Sequence, residues 1–323
     1  MDQVNEFLGI DISKQTFDTY NEKLGSMQFS NNQDGFVALL QLLDEGYCCV
    51  MEATGAYHHR LANFLFEAGI MVSVANALVI KRFGQMKLKK HKTDKADAQL
   101  IYLFAEDQGV DLWEPKPTYI EECRSMQTVV SLYIKQNTQL KNKLEFLQGI
   151  GETKGAVVRF LKAQLKRLQV EIKKIEQVMQ EKVKEHDQEL LTHITNIPGI
   201  GIKTAIFLII HTNGLREFEN SRQLISYLGL APIEQSSGSS IRAVSRISHA
   251  GNPKIRSMML LCSFTAHKCN PQCAALFNRI VAKGKSPKLA LIAVANKLLK
   301  QVFAIAKSRM PYDSDYRSVK LSL

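Results

Sequence analysis

The sequence of 323 residues lacks the features that mark secreted, disulfide-bonded or membrane-spanning proteins. Its six cysteines form neither CxxC pairs nor a disulfide framework, so we expect reduced thiols in a cytoplasmic protein. The amino terminus shows no charged-then-apolar segment, so we expect no secretion signal there. The longest apolar tract, Leu289 to Ala306, is interrupted by Lys297 and Lys300, and we expect it to be too polar to cross a bilayer.

Nucleotide-binding signatures are also missing. The chain has no P-loop, so nothing in it indicates an ATP-driven reaction. The opening Gly9-Ile10-Asp11 followed by a hairpin also begins sugar kinases and other actin-like ATPases. Those enzymes need a second phosphate loop of the Asp-Gly-Gly type, and none follows downstream.

Positive charge is in clear excess. Lys and Arg number 42 against 31 Asp and Glu, a formal net charge of +11, while 45% apolar and 23% charged residues are typical of a globular protein. Because the basic residues are clustered, they favour a polyanionic partner, nucleic acid first and an anionic membrane second. The length allows two or three domains, each with its own core.

Residues 1–110 alternate between strand and helix patterns. Three short strands are expected first, with Asp11 in the earliest, and a buried strand at Tyr47–Met51 ends at Glu52. Helices are expected on either side of a further strand, and the polar, basic stretch after it resumes as a helix containing Asp94 and Asp97. The order β-β-β-α-β-α-β-α predicts a mixed sheet flanked by helices, the α/β pattern of the ribonuclease-H-like fold.

Residues 111–189 begin with a linker, Asp111 to Pro117, in which two prolines oppose helix. Beyond it, two stretches repeat apolar residues at three- and four-residue steps, from Ile120 to Leu147 and from Leu161 to Met179. They predict an antiparallel coiled-coil arm or dimerisation stalk. The alternative is a pair of amphipathic helices packed on their own domain, but the largely charged or polar outer faces favour the arm.

Residues 190–323 are expected to be mainly α-helical. The segment Ile197-Pro198-Gly199-Ile200-Gly201 resembles a helix-hairpin-helix turn, whose amides at a helix start can hold a phosphate. A plain helix-turn-helix connection has the same pattern. Residues 229–251 are expected to form a loop, after which helices interrupted by prolines continue to Arg309.

Four carboxylates are the strongest candidates for a functional site: Asp11 and Glu52 on strands, and Asp94 and Asp97 one helical turn apart. If they converge, they repel one another unless a cation neutralises them, and oxygen ligands of this kind suit Mg²⁺ or Mn²⁺. Two such ions form the usual clamp for attack on a phosphodiester. Any one of these residues alone would be an ordinary solvated surface group.

Basic residues and a serine-rich loop accompany the carboxylates. Ser237 lies among four serines, and a hydroxyl becomes a good nucleophile only when a base or metal activates it and cations stabilise the transition state. A serine-glycine loop by itself is usually only a flexible connection. The predicted nucleic-acid-binding residues are Lys81, Arg82, Lys87, Lys89, Lys90, Lys92, Gly199, Gly201, Arg242, Arg246, Lys254 and Arg256.

Five motifs occur together and in order: Gly9-Ile10-Asp11, Met51-Glu52-Ala53-Thr54-Gly55-Ala56-Tyr57, Lys92-Thr93-Asp94-Lys95-Ala96-Asp97-Ala98, Ile197-Pro198-Gly199-Ile200-Gly201 and Ser237-Gly238-Ser239-Ser240-Ile241-Arg242. In this combination the sequence resembles the DEDD-type insertion-sequence transposases. That family also includes the pilin-gene DNA invertases and the bridge-RNA-guided recombinases. The resemblance covers nearly the whole chain.

The resemblance implies an enzyme that breaks and rejoins DNA. Its RuvC-like domain would hold Mg²⁺ or Mn²⁺ with Asp11, Glu52, Asp94 and Asp97, and its carboxy-terminal transposase domain would supply Ser237 as the nucleophile of a covalent serine-DNA intermediate. The arm would join protomers so that the carboxylates of one subunit meet the serine of another, in dimers that assemble into tetramers across donor and target DNA. A structured non-coding RNA guides at least some members.

The sequence departs from the family pattern at two places, Asn76-Ala77 instead of Asn-Pro and Ala243 instead of Gly after the loop arginine. Both concern the shape of a loop. Three alternatives remain: a DNA invertase of the same family, a RuvC-like junction nuclease, which needs the carboxylates but not the serine, and a nucleic-acid-binding protein that has kept the fold without catalysis.

Overall fold

The computed structural model describes residue 4 and residues 6–53, 55–87, 94–233, 236–237, 241–242, 246–247 and 251–315. For residues 94, 95, 232, 233, 236, 237, 241, 242, 246 and 247 it describes the backbone only. The chain divides into two compact units, Met1–Pro115 and Lys116–Leu323, and each is described by itself.

The first unit is a five-stranded mixed sheet with helices. Its elements are β1 (Glu6–Ile12), β2 (Thr16–Asn21), β3 (Gly25–Ser30), α1 (Gln33–Leu40), β4 (Tyr47–Glu52), α2 (His58–Glu67), β5 (Met71–Ala75), α3 (Ala77–Met86) and α4 (Asp94–Gln108). The strand order is β3-β2-β1-β4-β5. Strand β2 is antiparallel to both β1 and β3, whereas β4 lies parallel to both β1 and β5. The predicted α/β order of elements is confirmed, with one addition.

The addition is α3, in a stretch that the sequence analysis treated as a polar, basic segment leading into the helix of the aspartates. Asn76 caps this helix, because its side chain accepts a hydrogen bond from the backbone N–H of Leu78. Ile80 and Phe83 are buried against the sheet, while Lys81 and Arg82 face solvent. The sequence patterns had therefore missed a helix over residues 77–86.

The two faces of the sheet are covered by different helices. Side chains of a strand alternate between faces. Leu8, Ile10 and Met51 belong to the core cluster that includes residues of α1 and α2. Cys48 and Val50, on the other face, pack against residues of α3 and α4. This alternation determines which polar side chains of β1 and β4 share a face.

The second unit begins with two long antiparallel helices, α5 (Thr118–Gly149) and α6 (Ala156–Thr195). Near the connection between them, Leu144 and Leu147 pack against Val158. Along α6 the side chains at steps of three and four, from Val158 to Met179, are buried or half-buried. The predicted helix pair is thus observed, and we call residues 118–186 the arm. Its role in joining protomers stays a prediction.

A bend in α6 lies at the root of the arm. Asp187 has non-helical backbone angles, φ −139° and ψ 43°, and its side chain is buried. The Tyr119 hydroxyl at the start of α5 donates a hydrogen bond to Asp187 Oδ2, and Arg216 Nη2 lies 3.7 Å from Oδ1. Burial beside this carboxylate raises the pKa of Tyr119. The contact therefore fastens the start of α5 to the end of α6.

The remaining helices form the main core of this unit with the root of the arm. They are α7 (Ile202–His211), α8 (Ser221–Tyr227), α9 (Pro253–Cys269), α10 (Pro271–Ala282) and α11 (Pro287–Ser308). Three of them begin with proline. The first N–H of a helix has no partner within the helix, so its absence from proline removes no hydrogen bond there. All six cysteines of the chain are free, as expected.

The last helix corrects one expectation. By length and composition α11 could cross a membrane, although Lys297 and Lys300 suggested otherwise. More than half of its apolar window is buried within the protein, and Val294, Leu298 and Val302 are fully buried. It therefore packs as a core helix, which also explains its apolar composition.

Candidate carboxylate site and serine hairpin

A row of polar side chains crosses four strands of the sheet on one face. Asp11 is paired across the ladder with Asp18, and Asp18 is paired with Gln28 on the next strand. On the other side of β1, Ile10 is paired with Met51, so Glu52 is the neighbour of Asp11 on β4. Paired residues of neighbouring strands point to the same face. The row therefore runs through Gln28, Asp18, Asp11 and Glu52.

Helix α4 covers this same face. A Cβ atom at Gly9 would lie only 2.2 Å from the backbone oxygen of Ala98 and 2.4 Å from the backbone nitrogen of Tyr102. Glycine at this position thus lets α4 lie directly on β1. Both Ala98 and Tyr102 of α4 lie over Gly9, two residues before Asp11. Asp97, next to Ala98, therefore lies near the part of β1 that carries Asp11.

The structure thus brings three of the four predicted carboxylates to one side of the sheet. Asp11, Glu52 and Asp97 are half-buried, and each has interactions with other groups. Asp94 is the first residue of α4, but its side chain lies outside the described residues. In the part of the chain that the structure describes, no three acidic, His or Cys side chains are close enough together to hold a metal ion.

Asp18 was not singled out by the sequence analysis. It is 4% exposed, and Gln28 Nε2 donates hydrogen bonds to both of its oxygens, at 3.2 and 3.1 Å. The alternation within β2 turns Asp18 away from the apolar core that contains Phe17, but only the β1–β2 register places it beside Asp11.

A buried histidine follows the Glu52 strand. His58, the first residue of α2, is 5% exposed, and its Nδ1 atom has no hydrogen-bond partner. Burial, and secondarily the neighbouring His59, lowers the pKa of His58 to about 4. The imidazole is therefore neutral at physiological pH, and it could accept a proton from a nearby group only at the cost of burying a charge.

The predicted basic residues of the first unit are on α3 or outside the described residues. Lys81 and Arg82 are exposed on α3. Lys87, just after α3, lies 2.5 Å from Asp107 Oδ2 on α4, so its charge is partly neutralised. Lys89, Lys90 and Lys92 lie outside the described residues.

The predicted helix-hairpin-helix turn joins α6 to α7. Gly199 has φ +102°, and a Cβ there would lie 2.5 Å from Ala266 Cβ on α9. This glycine therefore serves close packing between the turn and α9. Gly201 begins α7 without a side-chain cap, and nothing lies within 4 Å of the position of its missing Cβ. Only Gly201 has the open surroundings that a phosphate contact requires.

Lys254 is half-buried in the second unit. Its Nζ lies 3.0 Å from Ser131 Oγ and 5.0 Å from the centre of the Phe207 ring. Burial lowers the pKa of Lys254. Arg256 is also half-buried, and its Nη1 donates a hydrogen bond to the Gly251 oxygen.

Ser237 lies in a small nested hairpin rather than in an irregular loop. An outer pair consists of β6 (Pro232–Ile233) and β9 (Arg246–Ile247), and an inner pair consists of β7 (Ser236–Ser237) and β8 (Ile241–Arg242). Ser237 is paired with Ile241 and Ser236 with Arg242, while Arg246 is paired with Ile233. The expectation of a loop over residues 229–251 was therefore wrong in this part. The hairpin gives Ser237 and both arginines fixed places in a register.

Two family models match the two parts of the chain. Residues 8–150 match a model of DEDD transposases of the IS110 group, and residues 191–278 match the model described as transposase, IS116/IS110/IS902 family. The first range includes the polar row and α4, and the second includes the serine hairpin. The chain belongs to the IS110 family of transposases.

Two relatives that match over nearly the full length of the chain support this membership. The chain is 28% identical to the pilin gene-inverting protein of Moraxella lacunata over 95% of its own length and 97% of that protein. It is 22% identical to the transposase for insertion sequence element IS1111A of Coxiella burnetii, over 95% and 91% of the two chains. This IS110-family transposase is therefore an enzyme that cuts and rejoins DNA.

Proposed function

We propose that this transposase uses two sets of residues, a divalent-metal site in the first unit and a serine nucleophile in the second. The observation that carries the metal site is the alignment of Asp11 and Glu52 on the face of the sheet that lies under the first turn of α4. The strand order, with three antiparallel strands followed by two parallel ones, supports a RuvC-like, ribonuclease-H-like domain.

Asp11, Glu52, Asp94 and Asp97 would hold Mg²⁺ or Mn²⁺. Their oxygen-only donor set fits these ions, and the close packing of α4 on Gly9 would hold the helix carboxylates near those of the strands. When bound, the metal would neutralise the phosphate and polarise its oxygens.

Ser237 would make the covalent bond to DNA. Its hydroxyl oxygen attacks phosphorus, the P–O bond to one strand end breaks, and that end leaves as a hydroxyl after taking up the proton lost by the serine. Because one phosphate ester replaces another, the strand can be resealed by the reverse attack without ATP. Arg242 and Arg246, placed by the same hairpin, suit stabilisation of the negative charge that develops.

The carboxylates belong to the first unit and the serine to the second. We propose that the arm joins protomers, that the carboxylates of one subunit act with Ser237 of another, and that dimers assemble into tetramers on two DNAs. Exposed apolar side chains at the outer end of the arm, among them Phe146, Ile150 and Phe160, support contacts of this kind. We further propose a structured non-coding RNA as guide.

Inversion is the second candidate function. It rests on the full-length similarity to a pilin gene-inverting protein. Inversion and insertion use the same bond changes, so the two differ in the arrangement of the DNA sites. The metal-dependent junction nuclease remains a third candidate, distinguished by activity without Ser237.

The test compares Asp11→Asn with Asp111→Asn in cells that carry the parent element with its flanking DNA. Asp111 is exposed in the segment after α4, so its substitution is a matched loss of one charge. We expect at least a hundredfold loss of recombinant junctions for Asp11→Asn, counted by quantitative PCR, with unchanged DNA binding. Normal junction counts from Asp11→Asn would contradict the metal site.

A further inference from the structure

The charge of α6 is divided between its two ends. Residues 156–174, the outer part of the helix, contain six basic residues and one acidic residue, Glu171. Residues 175–195, the root part, contain five acidic residues and only Lys182 and Lys184 as bases. The facing part of α5 is also basic, with Lys135, Lys141 and Lys143 exposed. Positive charge is therefore concentrated on the outer half of the arm.

Four of the basic residues form a row along one side of α6. Arg159, Lys162, Lys166 and Lys173 are spaced at three, four and seven residues, and all four are exposed. They avoid the positions that pack on α5, such as Leu161 and Leu165. At 1.5 Å per residue the row is about 21 Å long, the length of about six base pairs of duplex DNA. We call these four residues the cationic row.

The cationic row is not neutralised within the protein. Among the residues that the structure covers, no carboxylate forms an ion pair with any of its four members. Neighbouring lysines on the same helix do have such partners: Lys174 pairs with Glu171, and Lys182 pairs with Glu122 on α5. Like charges at these spacings repel each other by a few tenths of a kcal/mol per pair. An external polyanion would remove that repulsion.

We propose that the cationic row binds the phosphate backbone of duplex DNA, as a contact surface separate from the carboxylate site and the serine hairpin. Arg159 has an exposed aromatic neighbour in sequence, Phe160, but no aromatic residue lies between Lys162 and Lys173, and proteins that bind single strands stack bases on such side chains. A straight line of Lys and Arg suits sequence-independent backbone contact. The choice of DNA as partner rests on the proposed function. The row would hold DNA along the arm while the ends are exchanged.

The test neutralises the row and compares it with a matched change on the same helix. The row variant carries Arg159→Gln, Lys162→Gln and Lys166→Gln, and the control carries Lys174→Gln, Lys182→Gln and Lys184→Gln. Both lose three positive charges. Binding to a fluorescent 30-base-pair duplex is measured by anisotropy at several salt concentrations, with Asp11→Asn present throughout to prevent cleavage. Circular dichroism and light scattering check helix content and oligomeric state.

We expect the row variant to reduce the slope of log K against log salt by about 3, since each lost phosphate contact removes about 0.9. Its affinity at 0.1 M salt should fall at least tenfold, whereas the control should change less than threefold. Equal effects of the two variants would overturn the proposal, because net charge alone would then explain binding. The proposal would also be overturned if the oligomeric state changed in the row variant alone. The same holds if the row variant lost binding to a structured RNA but kept its binding to duplex DNA.

The proposed function is tested separately, by measuring junction formation in protein that retains Asp11. Normal junctions and normal DNA binding in the row variant would reject the cationic row but leave the catalytic assignment standing. A parent protein that binds no duplex DNA would reject both.

Discussion

Replacing Gly9 with alanine tests how α4 is held on the sheet. The new Cβ would lie 2.2 Å from the Ala98 oxygen, 2.4 Å from the Tyr102 nitrogen and 2.9 Å from the Tyr102 Cα. All three are backbone atoms, so no side chain can rotate away. Non-bonded heavy atoms prefer separations near 3.5 Å, and the helix must therefore withdraw by roughly 1 Å. Overpacking of this kind costs about 1–3 kcal/mol, and fixed backbone favours the upper end.

The withdrawal should also affect activity, because α4 carries Asp94 and Asp97. A displacement of about 1 Å in a reacting group can reduce the rate about a hundredfold. We therefore expect Gly9→Ala to destabilise the first unit by about 2–3 kcal/mol and to lower junction formation even at temperatures where that unit stays folded.

The assay uses the single tryptophan of the chain as a local reporter. Trp113 packs edge-on against Phe66 at 6.1 Å, and its backbone N–H donates to Val72, so its fluorescence follows unfolding of the first unit. Urea unfolding of Gly9→Ala is compared with Gly25→Ala. Gly25 has φ +72° and open space around it, so alanine there costs only about 1–2 kcal/mol of left-handed strain. Equal stability of Gly9→Ala and the parent would refute the packing argument.

Three further predictions concern Asp18, His58 and Asp187. Asp18→Asn removes a negative charge beside Asp11, while the new amide can still form a hydrogen bond with Gln28. We therefore expect recombination to require roughly tenfold more Mn²⁺. An unchanged Mn²⁺ requirement would exclude Asp18 from the site. The pKa of His58 lies below its unfolded value, so the first unit should lose about 1–3 kcal/mol as pH falls from about 6.5 to 4, and urea titrations of His58→Gln should show a smaller loss. Asp187→Asn weakens its contacts with Tyr119 and Arg216, and should destabilise the second unit by about 1–3 kcal/mol in unfolding followed by circular dichroism; no change would show that the arm root does not depend on this contact.

Local sequence patterns were sufficient to predict most elements of the fold. Alternating and continuous apolar runs predicted the five strands, and three- and four-residue steps predicted the two long helices. Helix α3 was not predicted because its solvent-facing residues include Leu78 and Val79 as well as basic residues, which obscures the amphipathic pattern. The cap at Asn76 was the available signal.

The candidate site was predictable in its residue types but not in its arrangement. Asp11 and Glu52 follow from the ends of apolar strands, whereas Asp18 becomes relevant only through the β1–β2 register. A register depends on pairing between segments, which spacing along one segment does not contain. Similarly, nothing local indicates that Gly9 meets α4, because Ala98 and Tyr102 lie about ninety residues away in sequence.

The central claim, a serine that bonds to DNA, is tested most directly by covalent capture. The protein is expressed with the flanking DNA of its element, denatured, and examined for attached DNA, in the parent and in Ser237→Ala and Ser236→Ala. The account predicts an adduct in the parent and in Ser236→Ala, and none in Ser237→Ala. An adduct that survives in Ser237→Ala would contradict the assignment of the nucleophile. Recombinant junctions formed by Ser237→Ala would contradict the serine chemistry altogether.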